Sequence, residues 1–207
     1  MRTSIIIITF LLTTKLAVGQ SSKPDTLKGK HAWTVSLGNS VKGGLGTTFM
    51  SFGYNPNRHV DFYVAPSWGI ATGGTAIFCG SKINFFSKYK LYSNADLTYR
   101  HSSRVVVNYE NHDLPGHQES YYIPPSDYLL TGIGINYRRI DKQNENGQMV
   151  FNITLNYNIV LGNHHFEYRD GPFSKDGEDG ATRKLAGGWG FTASFAVQLW
   201  RNKKKNK

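Results

Sequence analysis

Residues 149–161 read MVFNITLNYNIVL. The odd positions are Met, Phe, Ile, Leu, Tyr, Ile and Leu, and the even positions are Val, Asn, Thr, Asn, Asn and Val. A period of two with one apolar and one polar row is the signature of a β-strand. What covers the apolar row, a protein layer or lipid, decides the class of the protein.

Seven further strands are expected, bounded by turn residues, at 31–38, 45–54, 58–71, 75–86, 90–101, 128–139 and 189–200. Most are longer than the five or six residues usual in soluble sheets and match the span of a tilted strand across a bilayer. The apolar row continues through Trp33, Val35 and Leu37, through Phe62 and Val64, through Ile133 and Ile135, and through Phe191 to Leu199. In the strand at 45–54 the row changes phase between Phe49 and Phe52, which predicts a bulge. Pro66 predicts another, because proline removes a ladder hydrogen bond.

The links alternate. NPN (55–57), SKY (87–89) and DKQNENG (141–147) are short and polar, whereas residues 102–127 and 162–188 form long loops at the opposite end. Such one-sided loops are typical of an even-stranded outer-membrane barrel. Trp33, Tyr54, Tyr89, Tyr137 and Trp200 fall at one set of strand ends, and Trp68, Tyr99, Tyr128 and Trp189 at the other. These are expected to form two aromatic girdles at headgroup level.

The ends and the composition agree with export. Arg2, the apolar run IIIITFLL (5–12) and the small residues Ala17 and Gly19 build a secretory signal over 1–19, cleaved near Gly19. A periplasmic segment is expected at 20–29, the barrel at 30–200 and a basic periplasmic tail at 201–207. Cys79 is the lone cysteine and cannot make an internal disulfide. The net charge of +10 is concentrated in RNKKKNK at the end of the chain, so no nucleic-acid surface is expected.

The chain resembles the small eight-stranded outer-membrane β-barrel proteins of Gram-negative bacteria, the OmpA- and OmpX-type architecture. The carriers are MRTSIIIITFLLTTKLAVG, MVFNITLNYNIVL and the closing strand WGFTASFAVQLW (189–200), and the resemblance covers about residues 30–200. It implies an all-β, eight-stranded, antiparallel, up-and-down transmembrane barrel in the outer membrane, in contact with lipid and lipopolysaccharide. It differs from the usual pattern in the RNKKKNK tail after Trp200 and in having no peptidoglycan-binding domain behind it.

By the same phase Asp61, Lys82, Asp96, Arg100 and Arg138 point inward. They would pair into a polar plug or line a polar path, but an eight-stranded barrel is too narrow for a general porin. Residue-specific function is expected in the two long loops, as a site for a protein partner. Their histidines, His112, His117, His164 and His165, lack the spacing of a metal site, and DGPFSKDGEDG (170–180) lacks calcium-ligand register. No metal or cofactor is expected, and 170–180 reads as a solvated loop.

Two alternatives to a non-enzymatic barrel remain. His101-Ser102-Ser103 resembles the His-x-Ser pair of outer-membrane lipid A deacylases, which implies His101 as base, Ser103 as nucleophile and Glu110 or Glu119 as orienting acid. Arg104 stands where that family's pattern has Asn. The other alternative is a secreted, lipocalin-like barrel, in which the apolar row would face inward.

Overall fold

The computed structural model describes residues 30–42, 45–69, 74–111, 114–140, 147–162, 165–171, 174–185 and 187–202. The signal at 1–19, the segment at 20–29, residues 203–207 of the tail, and His112, Asp113 and His164 lie outside the described residues.

Eight strands close on themselves: β1 (Lys30–Lys42), β2 (Leu45–Asn57), β3 (Val60–Gly69), β4 (Thr75–Phe85), β5 (Leu91–Ser102), β8 (Ser126–Ile140), β9 (Gly147–Leu161) and β11 (Gly188–Asn202). Each pairs antiparallel with its neighbours, and β1 meets β11 to seal the cylinder. Closure leaves the barrel no free sheet edge. Residues 102–126 and 161–188 hold a second, three-stranded sheet of β6 (Val105–Glu110), β7 (Gln118–Ile123) and β10 (Glu167–Asp170), together with helix α1 (Lys175–Leu185). Both long connections leave the same end of the barrel.

The apolar row of β9 faces outward. Met149, Phe151, Ile153, Leu155, Tyr157, Ile159 and Leu161 are exposed, whereas Gln148, Val150, Asn152, Thr154, Asn156 and Asn158 are buried in the lumen. The same holds around the cylinder, with Val35, Leu37, Phe62, Val64, Ile83, Leu97, Ile133, Phe191 and Leu199 on the exterior. A lipocalin-like barrel requires the reverse, so that alternative is overturned. Cys79 lies on this outer face as a free thiol.

Three local expectations are corrected. The strand at 45–54 does not change phase at Phe49. Phe49 is an inward residue, packed with Ala65 and Phe78, and the register shift falls between Tyr54 and Asn57, next to the turn into β3. Gly38 makes this room, because a Cβ there would lie 2.7 Å from that of Ser194 and would also collide with the Phe49 ring. Pro66 causes no bulge: the ladder to β2 skips from Phe49 to Phe52 beside it, but register with β2 and β4 is the same on both sides. Trp200 is not a girdle residue. It is 2% exposed and packs on Ala32 inside the barrel, as its even position in β11 dictates, since the odd positions Val197 and Leu199 are the outward ones. Tyr128 is likewise buried in the lumen.

Trp33, Trp68, Tyr99, Tyr137 and Trp189 stand exposed on the exterior near strand ends, and Tyr54 lies against Trp33 with ring centroids 5.1 Å apart.

Candidate functional site

The lumen is divided into levels. In its lower part a polar network fills much of the space. Lys82 Nζ lies 3.7 Å from Asp96 and donates to Asn152 at 3.2 Å. Asp96 also accepts from Tyr63 at 3.0 Å and Thr98 at 2.7 Å. Asp61 accepts from Asn55, and Arg138 donates to the Ser87 carbonyl at 2.7 Å while stacking on Tyr92. Gly80 admits the Tyr63 ring, since a Cβ there would sit 2.8 Å from its Cζ. A cavity of about 90 Å³ of mixed character remains, lined by Asp61, Lys82 and Asn136 on one part and by Phe49, Phe78 and Leu130 on another.

Above this network the ladder places Ala65, Phe78, Arg100, Tyr128 and Val160 side by side across five neighbouring strands. With Phe49 and Leu130 they form an apolar layer inside the barrel. The expected mutual pairing of inward charges is therefore only partial. Asp61, Lys82, Asp96 and Arg138 belong to the polar level, whereas Arg100 lies in the layer between the rings of Phe78 and Tyr128, 5.4 Å from each centroid.

The long loops are not solvated chain but a folded cap. Val107, Tyr121 and Ile123 from β6 and β7 form a core with Ala181 of α1, with Val105, Tyr109 and Phe166 at its margin. Phe166 and Tyr168 both meet Tyr121 edge-on. Residues 170–180, read above as a loop, contain the start of α1. Ser174 caps the helix, its Oγ accepting from Gly177 N–H at 3.0 Å. Gly177 and Gly180 allow close approach, because a Cβ on either would collide with Glu119 or Tyr109.

Glu119 holds the helix to the sheet. Its carboxylate is fully buried and accepts from the Ser174 hydroxyl, from Ser174 N–H at 2.9 Å and from the Tyr121 hydroxyl at 2.7 Å. Burial works to raise its pKa, but the Ser174 and Tyr121 hydrogen bonds outweigh it and hold the carboxyl below its ordinary value. The Tyr121 hydroxyl is pushed up by burial and by that same carboxylate, so it remains a donor.

On its other face the cap sheet carries a small charged group. Arg104 and Arg169 lie over the Tyr122 ring at 3.9 and 5.1 Å, and Arg104 is 3.7 Å from Glu167.

The hydrolase candidates are dispersed. His101 faces outward at the rim, and its Nδ1 is 2.8 Å from Asp127, which also accepts from Tyr99 at 2.5 Å. Asp127, a residue sequence reasoning missed, thus takes the orienting position. Glu110 pairs with Gln118 at the far end of β6, and Glu119 is committed to Ser174, so neither orients His101. Ser103 Oγ accepts from Thr75 N–H at 3.0 Å and bonds Thr75 Oγ1 at 3.2 Å, rather than His101. A nucleophile must be in hydrogen-bond reach of its base. The expected consequence is that His101→Ala leaves the acyl pattern of lipid A unchanged in an expressing strain, as read by mass spectrometry. His117 and His165 are exposed on the cap, and no group of three ligating side chains occurs among the described residues.

No family model and no curated sequence matches the chain. Among solved structures it is similar to the crystal structure of Neisserial surface protein A. The two are 11% identical, with a TM-score of 0.42, over 83% of this chain and 96% of that one.

Proposed function

We propose that this chain is a small, non-enzymatic outer-membrane barrel that carries a folded cap on its outer end as a binding module. The supporting observation is the inverted pattern: an apolar exterior around a closed barrel whose lower lumen is polar. In water so much exposed apolar surface would drive association, whereas in a bilayer it is solvated. The barrel strands run 10–15 residues, which meets or exceeds the span required of a tilted strand. The side chains that fill so narrow a lumen support a role other than diffusion of solutes. Lipid and lipopolysaccharide contact the barrel wall, and the outer face of the cap sheet, with Arg104, Tyr122 and Arg169, is the surface offered to a protein partner.

Membrane fractionation with gel electrophoresis before and after heating tests this reading. The expected result is recovery in the outer membrane and faster migration of the unheated sample. Recovery in the soluble periplasm overturns it.

A second reading, a rim hydrolase, draws on the His101–Asp127 pair alone. Loss of an acyl chain that requires His101 would establish it.

A further inference from the structure

Among the charged residues at inward positions in the middle of the lumen the charges do not cancel: Lys82, Arg100 and Arg138 stand against Asp61 and Asp96. Both carboxylates lie below the apolar layer, within the polar network of Lys82, Tyr63, Thr98 and Asn55. Arg100 is the cation left over. Its contacts among the described residues are the faces of Phe78 and Tyr128, and its Nε is buried without a hydrogen-bond partner there. A buried guanidinium that leaves even one N–H without a partner is costly unless a counter-charge reaches it.

The residue also lines a cavity of about 40 Å³ at the outer mouth, between the barrel and the cap. Thr47, Gly69, Gly74, Thr75, Ala76, Ser102 and Tyr128 contribute its barrel side, and Val105 and Ile123 close it from the cap. Three of the hydroxyls on this cavity are directed elsewhere: Ser102 donates to the Ser126 carbonyl at 3.0 Å, Thr47 to the Ser40 carbonyl and Thr75 to Ser103 Oγ. The guanidinium is thus the charged donor on this cavity. A water needs about 10–15 Å³ of such volume, so the space suits one small ion with one or two waters. It does not suit a phosphorylated sugar. The apolar walls favour a weakly hydrated, singly charged ion over a strongly hydrated one such as sulfate.

We propose that this cavity is a binding site for a small monovalent anion of the halide class, held by Arg100 beneath the cap. The anion supplies the missing counter-charge and joins cap to barrel through the Val105 and Ile123 wall. The site is independent of whatever the cap binds on its outer face.

The test uses the full barrel in zwitterionic detergent micelles, freed of halide, with sodium chloride replaced by sodium gluconate at constant ionic strength. Chloride is expected to raise the urea-unfolding midpoint saturably, by about 0.5–1 M at tenfold excess over its dissociation constant. Gluconate, too large for the cavity, is expected to do nothing. Arg100→Met is expected to abolish the difference between the two salts. Equal midpoints for the native protein in both salts overturn the proposal, as does a chloride effect that persists in Arg100→Met. Should that variant fail to fold, crystals of the native protein grown in bromide decide the matter. An anomalous peak beside the Arg100 guanidinium is expected, and a bromide-bound crystal without one there overturns the site.

Discussion

Leu155→Arg is expected to destabilise the barrel in lipid vesicles by about 2–4 kcal/mol, the cost of a cation on the lipid face near the bilayer midplane. Leu155 sits in the middle of β9 and is exposed between Ile133 and Phe191 on the adjacent strands. Reversible urea unfolding in vesicles, compared with Leu155→Ala, isolates the charge from the loss of size. The experiment is diagnostic because the residue is already exposed. On a water-soluble barrel a charge at such a position changes stability by no more than about 0.5 kcal/mol. A small effect would therefore remove the membrane reading, and the part of a large one that comes from lost contact with Ile133 and Phe191 is read off from Leu155→Ala.

Glu119→Ala is expected to unfold the cap while leaving the barrel closed. The substitution strands three donors, Ser174 N–H, Ser174 Oγ–H and the Tyr121 hydroxyl, at a fully buried site. Each buried unsatisfied group costs about 1–3 kcal/mol, more than a helix of 11 residues and a three-stranded sheet can absorb. Limited proteolysis should then cut within 102–127 and 162–188, while the unheated barrel still migrates fast. A variant whose cap resists protease like the native protein would show that Ala181 and its apolar neighbours suffice. The same clasp sets the acid response. Because the folded carboxyl is held below its ordinary value, its contribution is complete above about pH 4.5 and is lost as pH falls through the lower, folded value. Cap protection is accordingly flat from neutral pH down to about 5 and fades only in stronger acid.

The barrel was legible because its information is local. Alternation along MVFNITLNYNIVL names both faces of one strand, and the short links at 55–57 and 87–89 name its neighbours. Strict parity also places Trp200 inside, since Leu199 is outward, whereas its position at a strand end suggests a girdle; the parity is the stronger signal. Phe49 misled for a different reason. An apolar residue on the polar face reads as a bulge, and only the absent side chain of Gly38 on the neighbouring strand shows where its ring fits. The cap was hidden by distance. Its hairpin has visible strand residues in VVVNYE and QESYYI, but α1 carries two glycines that argue against a helix. That helix is held by Ser174 bonding a glutamate 55 residues earlier, a relation that no window of sequence contains. Asp127 reached His101 in the same way, across the β5–β8 ladder.

The layer of Ala65, Phe78, Leu130, Tyr128 and Phe49 has a consequence for the cell as well as for the fold. It covers one side of the lumen only, because Ser40, Asn156 and Thr192 line the same cavity with polar groups. If the barrel stands in a membrane as proposed above, the greasy half confines any water in the bore to the seam along the other half, and the width of that seam sets what can pass from one face to the other.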